Sequence, residues 1–435
     1  MNDKKHPFPS RRKFLKSSGK VALASTIIPS LNFSIAHAKD KETLKIGLIG
    51  CGGRGTGAAN QALSADPNVE LVAMADIFED RMATSYQNLL KLHPDKTKVK
   101  KKNKFVGFNA YQELIDSGVD VVLLATPPAF RPDHLTYAIK AGKHVFAEKP
   151  LAVDAPGVRK VLDAARMAGE KNLSLVSGFC WRYHFPKRET FGRILDGAIG
   201  DVTTVYNTYN TGALWSKPRQ PDWTDMEFQM RNWLYYNWLS GDHIAEQAVH
   251  SIDMMSWAKG DVMPVRAVGT GGRQSRTEDI YGNVFDHFAI VYEYEDGSKG
   301  FHFSRQQQGA ERSYAVEMMG TKGSALVDCS RRIHEIRSEG DKWRYRGDEN
   351  DMYQTEHNEL FASIRNGEPI NDGTWMSHST MLALMGRMVA YTGQSITFED
   401  ALNSNETLGP DIDQYSWDLK WPSPEIAKPG ITAFN

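Results

Sequence analysis

Two short stretches of this chain carry residue types that could move protons. The first is Glu148-Lys149-Pro150, which closes the apolar run Val145 to Ala147. Proline cannot donate to a sheet ladder, so a strand through that run must stop there. An acid and a base are thereby placed at a strand's carboxyl end, where open α/β sheets bind ligands. A lysine so placed, partly desolvated, can transfer a proton or donate a hydrogen bond to a reacting group. The second stretch runs from His243 to Asp253. Read as one helix at about 100° per residue, it puts His243, Glu246, His250 and Asp253 on one side. Ile244, Ala248, Val249, Ile252 and Met255 fall on the other. Histidine within reach of a carboxylate suits acid–base work. The spacing is not the H-E-x-x-H of a helical zinc site, and no metal is expected. A structural or solvated polar face would show the same pattern.

The elements that must position these groups begin at residue 44. An apolar strand, Leu44 to Ile49, leads directly into Gly50-Cys51-Gly52-Gly53-Arg54-Gly55 and a helical stretch. In that context the first glycine permits a tight turn, the second lets backbone approach a pyrophosphate, and the third allows close helix–strand packing. The helix N-terminus then favours phosphate charge. A second strand, Leu71 to Asp76, ends in an acid at the distance expected for the ribose-binding carboxylate. No arginine follows it immediately, so NAD is favoured over NADP. Strand Val119 to Ala125, Thr126-Pro127-Pro128, a helix from Pro132 to Ala141 and the Glu148 strand continue the alternation. Strand and helix alternating with turns at each join means a doubly wound parallel sheet.

After Gly200 the character changes. Strand-like runs dominate (202–209, 265–269, 287–294, 300–304 and 325–328), which implies a mixed or antiparallel sheet. The expected fold is α/β: a Rossmann domain over 39–165, then an α+β substrate domain with a large open sheet over 166–410, and a tail over 411–435. Trp215 to Trp238 is an aromatic insertion between the strands.

Residues 1–38 read as an address. Arg11-Arg12 within Ser10 to Lys16, an apolar segment broken by Lys20, and Ala36-His37-Ala38 form a twin-arginine leader with a cleavage site. Export through the twin-arginine machinery to the periplasm is expected, without a membrane anchor. The net charge of -1 over 435 residues offers nothing to nucleic acid, and the lysine-rich run 96–104 reads as a solvated loop. Cys51, Cys180 and Cys329 are widely spaced and imply no disulfide framework.

With these parts assembled, residues 43–400 resemble the glucose–fructose oxidoreductase and inositol dehydrogenase (Gfo/Idh/MocA) family. The resemblance rests on the glycine loop, Ala125-Thr126-Pro127-Pro128 with His134, and Ala141 through Pro150. Arg182 with Pro186, Leu195 through Gly200, and Gly320-Thr321-Lys322-Gly323 add to it. It implies a cofactor held by Gly50, Gly52, Gly53, Arg54, Gly55, Asp76, Thr126, Pro127, His134, Glu148 and Lys149. It also implies a sugar or cyclitol hydroxyl oxidised beside Lys149 and His250, with Glu246 as orienter or base. Arg182, Tyr183, Trp233, Tyr236 and His243 are expected around the sugar. Two positions depart from the family pattern: Glu246 stands where many members have aspartate, and Ala248 where many have glycine. The resemblance further suggests self-association through the open sheet face. Two other readings accompany it, a redox-neutral NAD-dependent glycosidase and a nucleotide- or sugar-binding protein without turnover.

Overall fold

The computed structural model describes residues 42–434, so the expected leader lies outside the described residues. The chain opens with β1 (Leu44–Ile49), α1 (Gly53–Ala65), β2 (Val69–Asp76), α2 (Glu79–Leu92), β3 (Lys104–Val106) and α3 (Ala110–Asp116). It continues through β4 (Val121–Leu124), α4 (Arg131–Lys140), β5 (His144–Ala147), α5 (Ala155–Glu170) and β6 (Leu175–Ser177). Among the described residues these strands form one parallel sheet, ordered β3-β2-β1-β4-β5-β6. The order reverses between β1 and β4, which opens a crevice at their carboxyl ends. β4 is buried along its whole length, as a strand covered by helices on both faces must be. The domain boundary expected at residue 165 falls inside α5. That helix is the crossover delivering β6 beside β5, so the first layer runs on to Ser177.

The second layer comprises α6 (Phe185–Leu195), β7 (Val202–Thr211), α7 (Asp225–Arg231), α8 (Asn237–Ser240), α9 (His243–Glu246), α10 (Val249–Ala258) and β8 (Arg266–Gly272). Then come β9 (His287–Glu293), β10 (Lys299–Gln306), β11 (Ser313–Gly320), β12 (Gly323–Asp328), β13 (Ile333–Ser338) and β14 (Asp341–Arg344). The layer closes with α11 (Met352–Asn366), α12 (Gly373–Thr392), β15 (Ile396–Thr397) and α13 (Phe398–Asn403). Nine described strands make one sheet, ordered β14-β13-β12-β11-β7-β10-β9-β8-β15. Its pairs are antiparallel except β7 with β10. Burial alternates strictly along β9, so one face meets helices and the other does not. Tyr206, Phe303 and Met319 are exposed on the uncovered face.

Helix α12 is buried almost all round and packs against α5, α9, α10, β8 and β9. A helix with no polar stripe belongs in a core. Among the described residues no helix is long and apolar enough to cross a membrane. The C-terminal tail lies over the fold, with Tyr415, Trp417, Leu419 and Trp421 packed against Phe78, Phe130 and Trp238.

Candidate active site

The glycine loop has the shape its sequence requires. Gly50 sits at φ +92°, and a Cβ there would meet the Ala125 carbonyl carbon at 2.6 Å. A Cβ on Gly55 would lie 1.9 Å from the Gly50 carbonyl oxygen, so α1 can approach β1 only with glycine there. A Cβ on Gly52 or Gly53 would meet none of the described residues within 4 Å. Among the described residues no side chain caps the N-terminus of α1, leaving its first-turn N–H groups for an anion. Asp76 Oδ2 accepts from Cys51 N–H (2.6 Å) and Oδ1 from Phe78 N–H (2.9 Å), which ties the loop to the end of β2.

These residues line a cleft of ≈ 820 Å³ together with Thr126, Pro127 and His134. His134 stacks on Tyr111 at 4.0 Å, and burial beside Arg131 pushes its pKa down to about 3, so the ring is neutral. The Thr126 hydroxyl is buried without a partner among the described residues. An open glycine cradle, an uncapped helix end and an acid at the end of β2 fit a dinucleotide.

The second layer closes this cleft in a way the sequence reading did not anticipate. Trp233, expected at the sugar, lines the cleft with Trp215, Lys217 and Met230. Tyr236 is buried in the neighbouring aromatic cluster, and burial raises its pKa to about 12. The aromatic insertion thus faces the cofactor side. Arg231 fastens it, pairing with Asp80 at 3.2 Å and lying 4.0 Å from the Phe78 ring centroid.

Arg54 lines the cleft and also bonds two acids. Its Nε bonds Glu148 at 2.5 Å and its Nη2 bonds Glu356 of α11 at 3.2 Å. Glu356 is fully buried, its other oxygen has no partner among the described residues, and burial beside Glu148 pushes its pKa well up. The glycine loop, the end of β5 and α11 are clamped at one guanidinium. Sequence reasoning missed Glu356, because nothing local links it to a loop some 300 residues upstream (|i−j| = 302).

Lys149 follows Glu148 and crosses to the second layer. Its Nζ donates to the Glu246 backbone carbonyl at 2.6 Å and lies 3.7 Å from that residue's carboxylate. The single helix expected from His243 to Asp253 is broken. Gln247 (φ −115°, ψ −53°) ends α9 and α10 restarts at Val249. The break leaves the Glu246 carbonyl outside a continuous helical ladder, available to the lysine.

It also divides the expected face. His243 is buried between Tyr209 and Phe288, and among the described residues neither ring nitrogen has a hydrogen-bond partner. Asp253 is buried against Arg182 and the Ser379 hydroxyl. Of the four residues of that face, Glu246 pairs with Lys149 and His250 lies close enough for Lys149 to lower its pKa. Its ring lies 5.0 Å from that of Trp181, and burial, then Lys149 and Lys187, hold its pKa well below 6.5.

Arg182 and Tyr183, expected at the sugar, have protein partners instead. Arg182 is bonded to Asp253 and Asp261 and lies over the Trp375 ring at 4.1 Å. The Tyr183 hydroxyl donates to Asp372 at 2.6 Å. Aromatics beside the cluster include Trp181 and Tyr209, with ring centroids 6.3 Å apart, and Phe179, 6.1 Å from the His250 ring. Arg131 was also missed. Fully buried, with its pKa lowered to about 10 by burial, it donates to the Pro150 carbonyl and holds the turn that presents Lys149. Its position just before Pro132 in the Thr126–His134 stretch was the available signal.

The fold and site define a class, and sequence comparison agrees. A model of an oxidoreductase family with an NAD-binding Rossmann fold matches residues 44–175, and the GFO/IDH/MocA C-terminal domain matches 192–326. The chain belongs to the Gfo/Idh/MocA family, and its first layer is an NAD-binding domain. An inositol 2-dehydrogenase of Salmonella paratyphi B is 27% identical over 216 residues, 49% of this chain and 54% of that protein. The chain therefore matches about half the length of that relative. A myo-inositol 2-dehydrogenase of Thermotoga maritima is 24% identical over 75% of this chain and 90% of its own. An aldose-aldose oxidoreductase from Caulobacter crescentus, solved with glycerol, shares the fold. It has a TM-score of 0.65 at 18% identity, over 82% of this chain and 100% of that one.

Proposed function

We propose that the protein is an exported NAD-dependent oxidoreductase acting on a hydroxyl of a sugar, glycoside or cyclitol. The carrying observation is Lys149 Nζ, presented from the end of β5 and held at Glu246 beside a buried, neutral His250. The relatives named for inositol and aldose oxidation point to the same substrate class. NAD, when bound, supplies the hydride acceptor. Lys149 donates to the substrate hydroxyl oxygen and stabilises the alkoxide as it forms. His250, uncharged, takes the proton, and Glu246 orients the amine. Trp181 and Tyr209 offer ring faces to the sugar.

Retention of the cofactor is part of the proposal. Trp215, Lys217 and Trp233 close the cleft, and Tyr415 to Trp421 pack behind them. These side chains would keep NAD in place between turnovers, which suits a compartment poor in free nucleotide. Self-association through the uncovered sheet face, where Tyr206 and Phe303 pair at 5.5 Å, is proposed as well.

Purified protein, mixed with a panel of sugars, glycosides and cyclitols, should gain absorbance in the reduced-nicotinamide band with at least one of them. Its product should be two hydrogens lighter by mass. A glycoside released as free sugar without net oxidation would favour the glycosidase reading. Export has its own check. Changing Arg11 and Arg12 to lysine should leave the precursor in the cytoplasm, and normal periplasmic accumulation would refute it.

A further inference from the structure

Among the described residues, Lys187 is a buried lysine that forms no ion pair with an acid. It stands in the first turn of α6 and is 3% exposed. Its Nζ lies 3.3 Å from His184 Nδ1, and its charge opposes the rise that burial causes in the Cys329 thiol pKa. His184 and His334 flank it, and burial next to Lys187 lowers their pKa values to about 3 and about 4. Both rings are therefore neutral. The acids nearby are already committed: Asp328 to Arg331 (2.7 Å), Glu359 to Arg188 (2.5 Å) and Glu189 to Arg193 (2.7 Å). A charge removed from water without a counter-ion is costly, and a bound anion offsets that cost.

The Trp181 indole links this cation to the reacting groups. Lys187 Nζ lies 5.3 Å from that ring's centroid, and the His250 ring lies 5.0 Å from it. We propose that Lys187 recognises an anionic substituent, a carboxylate above all, on the sugar whose hydroxyl meets His250 and Lys149. This rests on the sugar-hydroxyl reading of the site. The sugar's apolar face would stack on Trp181, its hydroxyl at the His250 end and its carboxylate at the Lys187 end. The substrate class is then a uronic acid or its glycoside. A sulfated sugar has related chemistry and serves as a separate arm of the test.

The test compares methyl glucoside, methyl glucuronide and methyl glucoside 6-sulfate on wild-type protein and on Lys187→Met and Lys187→Gln. Wild type should favour an anionic sugar in kcat/KM, and both variants should reduce the anionic-to-neutral ratio by about 10- to 100-fold, mostly through KM. A merely structural defect would lower all three rates and leave the ratio unmoved. The ratio surviving in both variants, or wild type favouring the neutral glycoside, would overturn the proposal. Preference for sulfate over glucuronide would overturn the carboxylate assignment. If none of the three is oxidised, the sugar-hydroxyl reading fails for them. Calorimetric binding of glucuronide, present in wild type and weakened about 10-fold or more in the variants, then decides the anion site alone. Equal binding, or none to wild type, refutes it.

Discussion

Alanine in place of Lys149 or His250 lowers turnover by about 10²–10⁴-fold on a confirmed substrate, while NAD stays bound. The size follows from the roles: one side chain loses the donor to the forming alkoxide, the other the proton acceptor. NAD survives because the glycine loop, Asp76 and the cleft wall are untouched by either change. Glu246→Ala separates two cases. If the carboxylate only orients Lys149 across its 3.7 Å gap, the loss is smaller than for His250. If it is the true base, the loss is larger. The pH profile adds a second reading. Because burial holds the His250 pKa well below 6.5, its base form persists below that pH. The acid limb of kcat/KM attributable to it should therefore fall beneath pH 6.5. Wild-type rates in both the Lys149 and His250 variants would show that the active site lies elsewhere.

The largest stability effect should come from Arg182→Ala, at about 3–5 kcal/mol, typical of stripping the partner from a buried charge. Arg182 bonds Asp253, which is wholly buried, and Asp261, which is partly exposed. Without the guanidinium, Asp261 can turn to water, but among the described residues Asp253 retains only the Ser379 hydroxyl. Urea denaturation measures the loss. Burial already raises the Asp253 pKa. In the variant a carboxyl whose folded pKa exceeds its unfolded value is penalised above that pKa, so the deficit should shrink as pH falls through it. Adding Asp253→Asn should recover part of the loss. A deficit below about 1 kcal/mol would mean the carboxylate finds other partners.

What the sequence made legible were features whose signal is local. The glycine loop, the acid ending β2 and the proline ending β5 each follow from neighbouring residues, and the first sheet assembles from them. The alternation of β9 was equally plain. Four things were not readable, each for its own reason. The break at Gln247 carries no glycine or proline, so periodicity ran straight through it and wrongly grouped His243 and Asp253 with His250. Trp233 and Tyr236 suggested a sugar platform by type, yet the direction of the insertion is set by Arg231 and Phe78, which lie far apart in sequence. Glu356 reaches the glycine loop only through tertiary packing. Helix α12 shows no amphipathic stripe because both of its sides are core.

That last helix bears on how the protein can come apart. Residues 373–392 lie outside both segments matched by the family models, yet they sit wedged between α5 of the first layer and β8 and β9 of the second. The two recognisable halves therefore share one interior. Severing the chain near Ser177 would expose apolar surface on each piece, so neither half should be expressible alone. Heating should melt the whole as a single cooperative event, and lineages that trade cofactor halves for substrate halves would have to carry this third segment along with them.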